Sequence, residues 1–195
     1  DLLKGVTSSP RGEYEITDAL LHYIAQHDLN AYPLSSWLDV GYPWDLLDAN
    51  AGLLDSIEPD VEGIMEEGVQ IRGKVSIGKG TVVKSGTYIE GPCLIGEDCT
   101  IGPHAFIRGA TTIGDGCHIG HSTEIKNSVV MKNTKIPHFN YLGDTIVGSG
   151  CNFGAGTKVA NLRHDRGNVK IRGIDTRRVK MGAVIGDDVR FGINC

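Results

Sequence analysis

Aliphatic side chains recur at every sixth position along most of the chain. From position 65 to position 125, eleven successive slots hold Met, Ile or Val. The phase then slips by one residue at Val130 and again at Val147, and it resumes at Val179. A period of six matches neither an α-helix, at about 3.6, nor a strand that alternates at about 2. The pattern predicts short strands joined by tight turns.

The slot four residues after each aliphatic position is small, which suits a narrow corner. Three strands close a coil of about 18 residues, and stacked coils lie ~4.8 Å apart. We therefore predict an all-β fold, a parallel β-helix of hexapeptide repeats, over residues 56–195. The small slot is occupied by Thr81, Thr87, Cys93, Cys99, Ala105, Thr111, Cys117 and Thr123.

The five cysteines all fall in this corner slot and are interpreted as packing residues. They lack the CxxC spacing of a zinc site, so we predict neither metal nor disulfide. The odd count and the absence of a recognisable signal sequence favour a reducing cytoplasm. No apolar run approaches the ~18 residues that a membrane-spanning helix needs.

Residues 1–55 show a different pattern. Helical spacing covers 16–23 and 44–54, and 37–40 is a strand candidate. About 55 residues bury little surface on their own. We interpret this segment as the end of a larger domain followed by a linker.

Charge is distributed unevenly along the chain. Residues 1–67 carry 14 acidic and 2 basic residues, whereas 68–195 carry 10 acidic and 17 basic residues. The second part therefore suits anionic ligands. Its basic residues are scattered and aromatic residues are few, which argues against a nucleic-acid groove.

Three features point to chemistry. Arg108 and Lys126 are 18 residues apart, so they stack on adjacent coils, and a bound phosphate would relieve their repulsion. Alternatively they form a solvated ridge in which Glu90 neutralises Arg108. His138 interrupts the repeat and could accept a proton near neutral pH, although a lone His is more often an ordinary surface residue. The loop 160–178 holds six cations and is either a binding loop or a solvated one.

The stretch 135–161, KIPHFNYLGDTIVGSGCNFGAGTKVAN, resembles the acetyltransferase half of bifunctional sugar-1-phosphate nucleotidylyltransferase/N-acetyltransferases. Archaeal members share the NLRHD continuation. The segments SSPRGEYEITDAL and WLDVGYPWDLLDAN are similar to the end of a nucleotidylyltransferase domain. The resemblance implies a left-handed β-helix in 56–195 and a nucleotidylyltransferase remnant plus linker in 1–55.

The resemblance also implies roles for single residues. His138 would be the base that accepts the proton of the sugar amine. The backbone of Ala155 would contact acetyl-CoA, the co-substrate. In the nucleotidylyltransferase remnant, Glu13 would bind sugar, and Asp39 would bind Mg²⁺ in the complete parent domain. The sugar-phosphate residues would be Arg108, Lys126, Tyr141, Asn152 and Asn161.

This chain departs from the family pattern at three places. Leu162 replaces a Tyr, Ile193 replaces a Ser near acetyl-CoA, and the loop around Lys170 is longer. The Gly-rich nucleotide loop is absent, so we do not expect this chain to transfer nucleotides by itself.

The leading hypothesis is thus a cytoplasmic acetyl-CoA-dependent N-acetyltransferase acting on glucosamine or galactosamine 1-phosphate. It would be a homotrimer, with no metal in the acetyltransferase site and no nucleic-acid or membrane partner. The alternative is a β-helix that only assembles or regulates a nucleotidylyltransferase. A zinc carbonic anhydrase of the same fold is disfavoured, because His118 and His121 lack that family's spacing.

Overall fold

The computed structural model describes residues 2–195, with side chains described from Lys4 onward. The chain forms two compact units, residues 1–38 and 39–195, and each is described by itself. The boundary at 38/39 lies earlier than the division at 55/56 drawn from the sequence. Residues 39–55, which form a loop and a helix, therefore belong to the same compact unit as the β-helix, although their sequence resembles the end of a nucleotidylyltransferase domain.

The first unit contains a 3-10 helix, Leu2–Gly5, and helix α1, Ile16–Ile24, which confirms the helix predicted at 16–23. Asp18 in the first turn of α1 interacts favourably with the helix dipole. The strand predicted at 37–40 was wrong. A strand needs a hydrogen-bonded neighbour, and no strand among the described residues pairs with this segment.

The second unit begins with helix α2, Asp45–Asp55, close to the predicted 44–54. Twenty short strands follow in the described chain. They are β1 Asp60–Val61, β2 Ile64–Met65, β3 Gln70–Arg72, β4 Val75–Ile77, β5 Val82–Val83, β6 Tyr88–Glu90, β7 Cys93–Ile95, β8 Thr100–Ile101, β9 Phe106–Arg108, β10 Thr111–Ile113, β11 His118–His121, β12 Glu124–Lys126, β13 Val129–Val130, β14 Lys135–His138, β15 Tyr141–Gly143, β16 Ile146–Val147, β17 Lys158–Val159, β18 Lys170–Ile171, β19 Ile174–Asp175 and β20 Val184–Ile185.

The strands stack into three parallel sheets, which confirms the predicted β-helix. Sheet A has the order β1-β4-β7-β10-β13-β16-β20, sheet B β14-β11-β8-β5-β2, and sheet C β17-β15-β12-β9-β6-β3. Early coils take 18 residues, as in the pairing of Ile95 with Ile113. Later coils take 17, as in the pairing of Ile113 with Val130, which accounts for the first phase slip.

The aliphatic slots form one continuous buried column inside the helix. Ile101, Ile107, Ile113, Ile119 and their equivalents on neighbouring coils are fully buried. Removing this apolar surface from water is the main force that holds the coils together. The slot predicted at Val179 was wrong, because Val179 is exposed at the return of a long loop and the column resumes at Ile185.

The small slots fit the corners as predicted. Four of the five cysteines are buried there, and Cys93 and Cys99 each place their thiol against backbone carbonyls of the adjoining coil. Burial raises the pKa of the Cys93 thiol to about 12, so this group stays protonated at neutral pH. Cys195 differs in being exposed.

The outer face of sheet A is covered by α2 and by the loop 160–178. Trp44, Leu47, Ile146 and Met181 form a second apolar cluster there. The loop contains the antiparallel hairpin β18–β19, and Arg178 forms a 2.6 Å ion pair with Asp48. The loop 160–178, for which the sequence left a binding role and a solvated role open, is therefore partly packed. Arg108, Lys126 and Tyr141 lie on sheet C, and His138 lies on sheet B.

We expect Ile119→Ala to lower the free energy of unfolding by about 2–5 kcal/mol, because Ile119 is 0% exposed and truncation leaves a cavity. Urea denaturation followed by circular dichroism measures this. Ile64→Ala is the matched control, since Ile64 is 63% exposed and should cost no more than about 0.5 kcal/mol. Equal losses would contradict the assignment of inward slots.

Candidate active site

Strands β9, β12 and β15 bring the predicted phosphate ligands together. Lys126 pairs in register with Arg108 on the previous coil and with Gly143 on the next. The predicted stacking of Arg108 and Lys126 is therefore confirmed. Both cations stand at the corner where sheet C gives way to sheet A.

Each of these cations already has a carboxylate partner. Arg108 Nη1 lies 3.0 Å from Glu124 Oε1, and the two side chains are 39% and 34% exposed. Lys126 Nζ lies 3.2 Å from Asp144 Oδ2, with exposures of 19% and 5%. The carboxylate that contacts Arg108 is therefore Glu124 and not Glu90. The Arg108 pair is open to solvent, whereas the Lys126 pair is largely desolvated.

Asp144 is a member of the candidate site that sequence reasoning missed. Besides Lys126, its carboxylate accepts hydrogen bonds from Asn127 Nδ2 at 2.6 Å and Asn161 Nδ2 at 2.5 Å. Its backbone is left-handed, with φ of +52°, and its carbonyl accepts the Gly182 N–H. This left-handed backbone is visible only in the structure and is shared by twelve other non-glycine residues of the described chain, so the sequence pattern did not single out Asp144.

Tyr141 and Asn161 meet over Gly143. A methyl group added to Gly143 would lie 2.6 Å from the Tyr141 hydroxyl and 2.5 Å from Asn161 Nδ2. Both side chains thus occupy the space that the missing side chain of Gly143 leaves free. Because Gly143 is in register with Lys126, these three polar groups form one cluster on sheet C.

His138 lies on the same coil as Tyr141, at the corner between sheets B and C. It is the last residue of β14, is exposed, and pairs in register with His121 on the previous coil. Burial lowers the pKa of His118, and the neighbouring basic residues Lys84, His138 and Lys135 lower it further. The outer face of sheet B here is therefore basic.

Ala155 lies on the coil that follows His138. The Gly156 N–H donates to the His138 carbonyl at 3.0 Å, which places Ala155 beside His138. Within the described residues the Ala155 N–H donates no hydrogen bond, so it is free for a ligand. Asn152 continues sheet B through isolated backbone β-bridges, with Lys135 on one side and Arg190 on the other. The candidate residues thus form two groups, one on sheet C and one on sheet B.

The remaining predicted positions lie elsewhere. Leu162 is exposed and bridges to Lys180, and Lys170 is on the hairpin opposite Asp175. Ile193 is exposed near the end of the sequence. These positions do not touch the Lys126 cluster in any hydrogen bond of the described chain.

The two nucleotidylyltransferase residues fall in different units. Glu13 is exposed in the loop before α1, and Asp39 begins the second unit. Asp39 lines a cavity of about 390 Å³ with Asp45 and Arg177. Mg²⁺ prefers about six oxygen ligands, and no three His, Cys, Asp or Glu residues in the described chain converge on one point. The residues present do not by themselves hold the ion.

These features define a hexapeptide-repeat β-helix with a polar cluster on one sheet and an exposed histidine at the end of a strand of the next sheet. The model of the GMPPB C-terminal domain matches residues 89–195, and the chain belongs to that family. No helix within residues 2–195 is long and apolar enough to cross a membrane.

Curated relatives agree with the resemblance inferred from the sequence. The bifunctional protein GlmU of Methanocaldococcus jannaschii is 45% identical over 198 residues, covering 99% of this chain and 48% of that protein. GlmU of Methanococcus maripaludis strain C7 is 51% identical, with coverage of 99% and 48%. A bifunctional sugar-1-phosphate nucleotidylyltransferase/acetyltransferase of Sulfurisphaera tokodaii is 42% identical, with coverage of 98% and 49%. The chain spans about half the length of these relatives.

Proposed function

We propose that this chain is the acetyltransferase part of a bifunctional enzyme and moves acetyl from acetyl-CoA to the amine of an amino-sugar 1-phosphate. The supporting observation is the cluster of Lys126, Tyr141 and Asn161, together with exposed His138 three residues before Tyr141. A β-helix that only assembles subunits has no need for such a set. The relative from Sulfurisphaera tokodaii is a bifunctional sugar-1-phosphate nucleotidylyltransferase/acetyltransferase, which supports acetyl transfer here.

In this proposal the sugar phosphate binds at the corner formed by Arg108 and Lys126. Tyr141, Asn152 and Asn161 contact the sugar. Charge-assisted hydrogen bonds are about twice as strong as neutral ones, so the two cations supply most of the phosphate affinity. Glu124 is exposed enough to move from Arg108 when the phosphate arrives.

The chemical step joins the sugar nitrogen to the thioester carbon of acetyl-CoA. His138 accepts the proton that the nitrogen loses, and the bond to sulfur then breaks to release CoA. The free Ala155 N–H is positioned to donate to the developing oxyanion. The step transfers only a proton and an acetyl group, so it requires no metal.

Further parts of the proposal concern the whole protein. Residues 1–55 would complete a sugar-1-phosphate nucleotidylyltransferase domain that uses Mg²⁺, with Glu13 and Asp39 contributing, and 56–195 would form the acetyltransferase. We place the protein in the cytoplasm, without nucleic-acid or membrane partners. The direct test is CoA release from acetyl-CoA by the full-length protein, with glucosamine 1-phosphate and galactosamine 1-phosphate as acceptors.

The alternative is that the β-helix serves only assembly or regulation. The neutralisation of Arg108 by Glu124 and of Lys126 by Asp144 favours it, because paired cations need no ligand. Absence of CoA release with either acceptor would establish the alternative over the enzyme.

We expect the full-length protein to be a homotrimer. The sheet B group at His138 and the sheet C cluster at Lys126 share no hydrogen bond within one described chain, so a second copy is suited to close the site. Sedimentation velocity at micromolar concentration measures the assembly. A monomer there would contradict the trimer.

We expect Arg108→Ala and Lys126→Met each to raise the Michaelis constant for the sugar phosphate about 10- to 100-fold, since each removes a charge-assisted contact worth about 1.5–3 kcal/mol. The Michaelis constant for acetyl-CoA should change little. Lys126→Met should also lower the melting temperature, because Asp144 is then buried without its cation, whereas Arg108→Ala should not. An effect confined to acetyl-CoA would refute the phosphate assignment.

We expect His138→Ala to lower the turnover number about 10²–10⁴-fold, the usual contribution of a general base. The side chain is exposed, so the melting temperature should hardly change. Steady-state kinetics and thermal melting measure both. His164→Ala, in an exposed stretch of the loop, is the matched control and should retain wild-type turnover. A His138→Ala enzyme with more than about a third of wild-type turnover would exclude His138 as the base.

A further inference from the structure

Asp144 is a buried carboxylate that the proposed reaction does not use. Its side chain is 5% exposed, although the cost of burying an unpaired charge is high. Its two oxygens accept three side-chain hydrogen bonds: Oδ1 from Asn127, and Oδ2 from both Lys126 and Asn161. The carboxylate is therefore well satisfied, and it joins two coils to the start of the loop 160–178.

We propose that Asp144 is the positioning residue of the phosphate subsite, an inference that rests on the proposed function. Because Lys126 Nζ and Asn161 Nδ2 share one oxygen, the two nitrogens lie within about 6 Å of each other. An ammonium has three N–H donors and a side-chain amide two. After one bond each to Asp144, two donors remain on Lys126 and one on Asn161 for a phosphorylated sugar.

Asp144 also fixes the loop to the coil. The Gly182 N–H donates to the Asp144 carbonyl at 2.9 Å, and the Met181 N–H donates to the Asn161 carbonyl at 2.9 Å. Both ends of the loop are thereby held at the corner that carries Lys126. The flexible lysine side chain, which loses entropy when it is ordered, is held in place before substrate binds.

An isosteric change isolates the role of the carboxylate. In Asp144→Asn one oxygen becomes an NH₂ donor, which faces either Asn127 or the pair Lys126 and Asn161. Every orientation sets donor against donor or leaves Lys126 without a counter-ion. Nothing else about the shape of the corner changes.

Isothermal titration calorimetry of the full-length protein measures its affinity for glucosamine 1-phosphate and, in a separate titration, for acetyl-CoA. We expect Asp144→Asn to weaken glucosamine 1-phosphate binding about tenfold and to leave acetyl-CoA binding within twofold. Asp98→Asn is the matched control. It removes the same charge from another left-handed corner, where the side chain is exposed, and should bind like wild type.

A double-mutant cycle separates positioning from general damage. If Asp144 acts through Lys126, Asp144→Asn should weaken sugar-phosphate binding less than twofold further in a Lys126→Met background. It should also raise the melting temperature of Lys126→Met, because it removes an unpaired buried charge. Full additivity, or unchanged or tighter binding in the single variant, would overturn the proposal.

A second variant covers the case in which Asp144→Asn fails to fold. Asn127→Gly removes the donor to Oδ1, and glycine adopts the φ of +45° at this position without strain. We expect about threefold weaker sugar-phosphate binding, and unchanged binding would overturn the proposal. Binding that depends on Asp144 without any CoA release would refute the proposed reaction and leave the positioning role intact. Wild-type protein that binds no sugar phosphate would refute both.

Discussion

In-register stacking of the coils is the constraint on which the rest of the structure depends. Each coil is too small to bury its own aliphatic residues, and it does so only against the coils above and below. The inward column from Ile77 to Ile185 is continuous for this reason. In the coils before the loop 160–178, stacking also fixes each outward side chain above a residue 17 or 18 positions earlier, so distant residues such as Arg108 and Lys126 become neighbours.

Stacking like charges is unfavourable unless carboxylates intervene, and here two of them do so in different ways. Glu124 lies on the face of sheet C, where its exposed pair with Arg108 contributes little to stability and exchanges easily. Asp144 lies at the corner, where its pair with Lys126 is desolvated and breaking it would be costly. In the proposed subsite, Arg108 can therefore exchange its carboxylate partner for a phosphate, whereas Lys126 is held in position by Asp144.

The period of six was sufficient to predict the β-helix, the inward column and the stacking of Arg108 on Lys126. It could not predict the ion pair between Asp144 and Lys126. That contact depends on where a coil loses one residue and on the path of the loop 160–178, and neither is periodic. The exposed Val179 was misassigned for the same reason, because the repeat gives no information about where a loop re-enters the coil.

The shortened coil explains why the polar cluster forms where it does. In the 18-residue coil, Gly109 separates Arg108 from the left-handed corner residue Ala110. In the following coils that spacer is gone, and Asn127 and Asp144 take the left-handed corner directly after Lys126 and Gly143. Loss of one residue therefore brings a short polar side chain against the cation. The long loop leaves the β-helix one coil later at this same corner and brings Asn161 to it, so the break in the repeat builds the candidate site.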